Sequence, residues 1–196
     1  ETVIDHVQKR VGLREISVHG VDILLNGQPV FLRGYIDCCI FPQTGYPSWE
    51  IDDYRRQFAI ARSYGFNHVR LHSWTAPEPF WQSADEAGML VQAELPHWSR
   101  LYDDARQPPP DSVQQFLSAE LERIVPALHF HPSWVLFSQG NELLGGMDWH
   151  PALNALVERG RQLDDTRLYA DNTGFGQLPA PSRQTDFYIQ SCNWHP

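Results

Sequence analysis

Polar side chains that could carry out chemistry follow several short apolar runs of this 196-residue sequence. The clearest pair is Asn141-Glu142, which follows the apolar residues 135–137 after a short Ser-Gln-Gly segment. A carboxyl group at a partly desolvated strand end suits general acid/base catalysis, because it can be protonated in one step and ionised in the next. Other apolar runs lead into an arginine, acids, imidazoles and indoles, and these further candidates are Asp37, Arg70, His72, Trp74, Glu94, His97, Trp98, Trp194 and His195.

The first elements that position these residues form a predicted hairpin. Apolar residues 21–25 and 30–32 flank Asn26-Gly27, the dipeptide that best tolerates the positive φ angles of a tight turn. Pro29 has no N–H to donate, so we expect the regular pairing of the second strand to begin at Val30.

Beyond the hairpin, helical and strand-like periods alternate along the chain. Tyr54, Phe58 and Ala61 recur at helical spacing between an acidic first turn and Gly65, which predicts the first helix and its end. Pro126 should kink or shorten the third helix. The predicted helices lie near residues 51–61, 78–87, 116–128 and 153–163, and the predicted strands cover residues 30–32, 68–71, 90–93, 135–138, 168–170 and 187–189.

Short apolar strands that alternate with helices predict a parallel sheet covered by helices, and hence the α/β class. The sequence contains no Gly-rich phosphate loop of a dinucleotide-binding fold, which favours a (β/α)8 barrel of the TIM type, here with about six strands. Active sites of such barrels are built at the carboxyl ends of the strands. We therefore expect the polar strand-end residues to lie close together.

Composition restricts the partners. A formal net charge of -9 without Lys or Arg clusters argues against nucleic acid. No apolar stretch approaches the roughly 18 residues of a membrane span, so no membrane partner is expected. The first residues lack the pattern of a signal peptide, and the three cysteines, with Cys38 and Cys39 adjacent, lack metal-type spacing. A neutral ligand fits this composition best.

Four segments in this order resemble the catalytic domain of glycoside hydrolase family 2, which includes β-galactosidases, β-glucuronidases and β-mannosidases. They are residues 31–34, 65–71 and 85–91, and the segment from His131-Pro132 to Gly140-Asn141-Glu142. The resemblance covers residues 21–196, which it identifies as the amino-terminal part of the barrel. It implies that residues 1–20 are the last strand and linker of a preceding β-sandwich domain.

The resemblance implies a retaining β-glycosidase that hydrolyses β-linked carbohydrates with two carboxylates about 5 to 5.5 Å apart. Glu142 matches the general acid/base, Asn141 the residue that binds the sugar 2-hydroxyl, and Arg70 the arginine that orients the nucleophile. The other candidates are expected to bind substrate, although a fixed electrostatic role is open for Glu94. No cofactor or metal is expected, and relatives of this kind are often periplasmic or secreted.

One departure from the family affects the expected activity. The family nucleophile is a Glu near the end of the seventh strand, whereas six strands are predicted here, and a complete barrel takes about 250 residues. We favour a fragment of a longer enzyme that lacks the nucleophile. The remaining strands could instead come from another segment, or the chain could be a non-catalytic carbohydrate-binding or vestigial barrel domain. Uncovered barrel edges would promote self-association.

A metal-dependent barrel hydrolase is the third hypothesis, suggested by His129 and His131. In those enzymes the His-x-His pair follows the first strand, whereas here it precedes the fourth strand. Pro132 indicates a helix end at the opposite face of the barrel. The pair is therefore not expected to bind a metal, and Asp171 and Asn172 at the fifth strand end are expected to cap a turn.

Overall fold

The computed structural model describes residues 4–98, 111–143, 151–173 and 185–187. A small antiparallel sheet precedes a larger parallel sheet whose strands alternate with helices. In chain order the elements are β1 (Ile16–His19), β2 (Asp22–Leu25), β3 (Gln28–Pro29), β4 (Gly34–Asp37), α1 (Ile51–Ser63), β5 (His68–Leu71), α2 (Glu78–Ala87), β6 (Leu90–Glu94), α3 (Asp111–Leu128), β7 (Trp134–Ser138), α4 (Pro151–Leu163) and β8 (Leu168–Ala170).

The antiparallel sheet confirms the hairpin and corrects the residue at which the pairing of its second strand begins. Asn26 and Gly27 both have positive φ angles, 52° and 73°. Pairing begins at Gln28 and Pro29 rather than at Val30, whose N–H donates to the carbonyl of Ile23 at 2.9 Å. Pro29 lies opposite Leu24 at a position of the antiparallel pair that is not hydrogen-bonded. No N–H is required there, so a proline is tolerated. Strand β1 pairs with the other side of β2.

The parallel sheet has the order β4-β5-β6-β7-β8, so each strand pairs with the next one along the chain. This sequential parallel order is that of a barrel wall, which confirms the predicted α/β barrel architecture. The first strand of the wall is Gly34–Asp37 rather than residues 30–32. Val30 and Leu32 instead pack with the hairpin against the amino end of the wall, so this prediction was wrong by a few residues. Of the sixth predicted strand, only Phe187 lies among the described residues.

The helices begin and end close to the predicted positions, except that α3 begins at Asp111 rather than near residue 116. Gly65 and Gly88 have positive φ angles of 84° and 62°, as expected for the residues that end α1 and α2. Pro126 lies inside α3, but the helix ends two residues later, at Leu128. None of the described helices is both long and apolar enough to cross a bilayer.

Two apolar clusters hold the wall in place. The larger one fills the space between the sheet and the helices, where Phe58, Phe80 and Phe137 are fully buried. The smaller one joins the inner residues Leu90, Leu136 and Leu168 to the hairpin, which thereby covers the amino end of the wall. The strands that carry the polar residues at their carboxyl ends are thus fixed by apolar packing. The domain boundary near residue 20 and the self-association of barrel edges stay predictions.

Candidate active site

A buried ion pair lies at the centre of the candidate site. Arg70 is on the face of β5 opposite Val69 and Leu71, which pack in the helix-side cluster. Its Nε donates to Glu94 Oε1 at 2.7 Å and its Nη2 donates to Oε2 at 3.3 Å. The side chain of Glu94 is fully buried and that of Arg70 is 12% exposed. This two-point contact fixes both side chains relative to the sheet.

Two more groups donate to the carboxylate of Glu94. The backbone N–H of Ser73, a residue with a positive φ of 57°, donates to Oε2 at 2.8 Å. Gln92, two residues earlier on the same face of β6, donates from Nε2 to Oε1 at 3.1 Å. Glu94 thus has protein partners on both oxygens, which favours the electrostatic role that the sequence left open over direct contact with a substrate.

Asn141 is oriented by the same arginine. Its Oδ1 accepts a hydrogen bond from Arg70 Nη2, and its backbone N–H donates to the carbonyl of His97 at 2.9 Å. Because a guanidinium only donates, the amide oxygen must face Arg70 and the amide nitrogen must point away from it. Asn141 Nδ2 is buried and has no partner among the described residues. One amide donor beside Glu142 is therefore uncommitted.

Glu142 follows in a left-handed conformation, with a φ of 51°. Its backbone N–H donates to the carbonyl of Thr173 at 2.6 Å, and its partly exposed carboxylate accepts a hydrogen bond from Trp98 Nε1 at 3.1 Å. Trp98 is 60% exposed, and the ring of His72 meets it edge to face at 4.8 Å. A carboxylate, an indole and an imidazole therefore meet at the carboxyl end of the wall.

His97 packs against the turn that leads from β7 into Asn141. Its ring is buried, and burial lowers its pKa, so the ring is neutral near pH 7. Gly140 packs directly against it with a φ of 151°, and a Cβ added at Gly140 would lie 2.4 Å from the carbonyl oxygen of His97. A glycine is therefore required at the turn into Asn141.

The structure places two predicted substrate-binding residues away from this cluster. The carboxylate of Asp37 accepts hydrogen bonds from the backbone of Cys39 at 3.1 Å and from Gln57 of α1 at 3.4 Å. Trp74 is 8% exposed and packs against Phe80, and its Nε1 donates to the carbonyl of Asp37 at 3.1 Å. Alternation along β4 directs Asp37 outward, on the side of its pairing partner Leu71. Trp74 lies beyond the end of β5, where the left-handed Ser73 interrupts the alternation, and its ring packs in the helix-side cluster. Trp194 and His195 lie outside the described residues.

Sequence reasoning missed three residues of the site and left a fourth, Asn172, off the candidate list. Gln92 donates to Glu94, Ser73 donates through its backbone, and Thr173 accepts from Glu142. Asn172 bonds both the N–H and the carbonyl of Leu143, at 2.9 and 3.3 Å, so these contacts join two strand ends rather than capping the turn that follows Asn172. The sequence offered a signal for Gln92, because it is a polar residue two positions before Glu94 and therefore on the same face of the strand.

His129 and His131 contact carboxylates near the amino end of the wall. His131 Nδ1 lies 2.7 Å from Asp85 and its Nε2 lies 3.3 Å from Glu78, while His129 Nδ1 lies 3.0 Å from Asp164. No group of three or more metal-ligating side chains with suitable placement occurs in the part of the chain that the structure describes. These contacts join helix ends to the base of the wall.

Comparison with known proteins agrees with this geometry. Residues 16–178 match the family model described as glycosyl hydrolases family 2, TIM barrel domain. A β-galactosidase of Photobacterium profundum is 24% identical over 160 residues, which are 81% of this chain and 15% of that protein. Beta-galactosidase 2 of Enterobacter cloacae is 29% identical over 150 residues, which are 73% of this chain and 14% of that protein. This chain thus spans about 15% of the length of the curated relatives it matches.

Solved structures share the fold. A β-galacturonidase from Eisenbergiella tayi, bound to galacturonate, superposes with a TM-score of 0.71 at 24% identity over 85% of this chain and 29% of that chain. A β-glucuronidase from Parabacteroides merdae gives a TM-score of 0.69 at 24% identity over 85% of this chain and 21% of that chain. The family match covers most of the chain, and the sequential parallel wall is the architecture that it requires. The chain therefore belongs to glycosyl hydrolase family 2, through its TIM barrel domain.

Proposed function

We propose that this chain supplies the acid/base half of the active site of a retaining β-glycosidase. The observation that carries the proposal is the placement of Asn141-Glu142 at the carboxyl end of the wall, next to the buried Arg70–Glu94 pair. This is where catalytic side chains of TIM barrels lie. The carboxylate of Glu142 is partly exposed, whereas that of Glu94 is enclosed by its ion pair.

Glu142 acts in both steps of the proposed reaction. As an acid it gives its proton to the glycosidic oxygen while a second carboxylate attacks the anomeric carbon and the bond to the leaving group breaks. As a base it then takes a proton from the water that releases the sugar from that second carboxylate. We propose that the second carboxylate belongs to a later barrel strand of a longer protein.

Asn141 and Arg70 prepare the site for charge that develops in the transition state. Asn141 Nδ2, which has no partner among the described residues, is the proposed donor to the sugar 2-hydroxyl. Arg70 fixes the orientation of that amide by donating to Oδ1. Its positive charge is proposed to orient the second carboxylate and to keep it ionised. Trp98 and His72 offer ring faces and edges for a sugar at the opening.

The proposal is tested by Glu142→Gln in the longest available protein that contains this chain. With phenyl β-glycosides, whose leaving groups need a proton, kcat/KM should fall about 10²- to 10⁴-fold. With 2,4-dinitrophenyl β-glycosides, whose leaving group needs no proton, kcat/KM should change little. Glu15→Gln, an exposed glutamate before β1, is the matched control and should leave both values unchanged.

Hydrolysis of the phenyl glycoside at the same rate by Glu142→Gln would contradict the acid/base assignment. Saturable carbohydrate binding without any hydrolysis by the parent protein would instead support the alternative, a non-catalytic carbohydrate-binding or vestigial barrel domain.

A further inference from the structure

We infer that Gln92 and Thr173 are positioning residues for Glu142, because they connect the buried Arg70–Glu94 pair to the backbone that carries the acid/base carboxylate. This inference rests on the proposed function. Gln92 lies in β6 and Thr173 follows β8, so the connection passes across β7, the strand that leads into Asn141-Glu142. The two residues are 81 positions apart in the sequence.

The first half of the connection is the amide of Gln92. Its Nε2 donates to Glu94 Oε1 at 3.1 Å and to Thr173 Oγ1 at 3.2 Å. A carboxylate only accepts, so the amide nitrogen rather than the oxygen must face Glu94. The same nitrogen then reaches Thr173, whose hydroxyl accepts. Gln92 thus uses both amide hydrogens to hold two strand ends at a set separation.

The second half is the backbone of Thr173. Its N–H donates to the carbonyl of Gly140 at 3.0 Å, and its carbonyl accepts the N–H of Glu142 at 2.6 Å. These two bonds enclose Asn141 on one side, while the carbonyl of His97 bonds Asn141 on the other. The left-handed φ of Glu142 is costly for a residue with a side chain, so it requires support from its surroundings. Thr173 provides that support.

Stability alone gives a poor account of Gln92. The side chain is 1% exposed, and its Oε1 is buried without a partner among the described residues. Such an oxygen costs free energy of folding, whereas the neighbouring inner position in β7 is occupied by Leu136. An apolar side chain of similar volume would fill this place. What the amide adds is a fixed direction for Thr173 and, through it, for Glu142.

The inference predicts a selective loss of acid catalysis. A shift of about 1 Å in a catalytic group can lower a rate about 100-fold, even when the altered residue never touches the substrate. We expect Thr173→Val, which removes the hydroxyl and keeps the shape, to lower kcat/KM for phenyl β-glycosides by about 10- to 100-fold. The value for 2,4-dinitrophenyl glycosides should change little, and Thr173→Ser should restore most of the loss.

The experiment is done in the longest protein that contains this chain. Thr166→Val is the matched control, because Thr166 bonds Asp164 near the amino end of β8, at the end of the wall opposite Glu142. It should leave the ratio of the two kcat/KM values unchanged. Gln92→Met, which keeps the volume, is the second variant if Thr173→Val fails to fold. The double variant should lose no more kcat/KM than the single variant with the larger loss, because both substitutions break the same connection.

Equal losses with both leaving groups would mean a merely structural role and would overturn the inference. If Glu142→Gln shows the leaving-group dependence and Thr173→Val and Gln92→Met do not, the proposed function stands and the positioning role fails. If Glu142→Gln leaves phenyl glycoside hydrolysis unchanged, both fail.

Discussion

Two networks of buried charge lie at opposite ends of the barrel wall and are built differently. The mouth network, at the carboxyl ends of the strands, consists of Arg70, Gln92, Glu94, Asn141, Glu142 and Thr173. The basal network, at the amino ends, consists of Arg14, Asp85, His131, Asp164 and Arg167. Both contain at least one arginine and two carboxylates, so composition alone does not distinguish them.

The mouth network consists mostly of bonds from one side chain to another. Arg70 donates to Glu94 and Asn141, and Gln92 donates to Glu94 and Thr173. Such bonds set the orientation of functional groups relative to one another. This is what a site needs when its groups must meet a substrate together.

The basal network bonds mostly to backbone. Arg14 donates to the carbonyls of Pro132 at 3.1 Å, Trp134 at 2.7 Å and Thr166 at 2.5 Å, and Arg167 donates to those of His129 and His131. Burial, with Arg167 nearby, lowers the pKa of Arg14 to about 10, which leaves it charged at neutral pH. Charges at this end hold strand starts in place, in keeping with the structural role of that face of such barrels.

The largest effect is expected from breaking the central pair of the mouth network. Glu94→Leu leaves the guanidinium of Arg70 buried without its counter-charge, so the free energy of unfolding should fall by about 3–5 kcal/mol. Urea unfolding measures this loss. Arg70→Met combined with Glu94→Leu should recover much of the stability but none of the hydrolytic activity. A loss below about 1 kcal/mol for Glu94→Leu would show that the pair is not buried in solution.

A pH-dependent effect is expected from His68, which lies between the two networks. Burial, with Arg70 nearby, lowers the pKa of His68 from 6.5 to about 4. Between these values the unfolded chain binds a proton that the folded chain does not, so stability falls as the pH drops from about 6.5 towards 4. The loss should approach roughly 3 kcal/mol.

Urea unfolding at a series of pH values measures this dependence. In His68→Gln the loss between pH 6.5 and 4 should be smaller than in the parent protein, because the titrating group is gone. His19→Gln, at an exposed position in β1, is the control and should retain the parent slope. Identical slopes for the parent and His68→Gln would contradict the neutral, buried state of His68.

The smallest of the three effects is expected in the basal network. Arg14→Ala removes three hydrogen bonds from a charged donor to backbone carbonyls and should lower the free energy of unfolding by about 2 kcal/mol. The kcat/KM of the active protein should not change. Arg10→Ala, at an exposed position in the same segment, should affect neither quantity. A change in kcat/KM with Arg14→Ala would break the division between the two networks.

The sequence by itself determined the order and type of the elements. Hydrophobic periods, Asn26-Gly27 and the helix-ending Gly65 and Gly88 are local signals, and among the described residues the structure has the elements near the predicted positions, except for the first strand of the wall. The sequence also placed Arg70, Glu94 and Asn141-Glu142 at the same end of one wall, because parallel strands carry their carboxyl ends to one edge.

Only the tertiary structure decided which of these side chains meet. Asp37 and Trp74 occupy the predicted ends of their strands but turn to the helix layer, whereas Gln92, inside a strand, joins the site. A period of two residues indicates that faces alternate, but the register with neighbouring strands fixes which face is inner. The contact of Gln92 with Thr173 across β7 depends on that register and on loop geometry, and neither is written in the local sequence pattern.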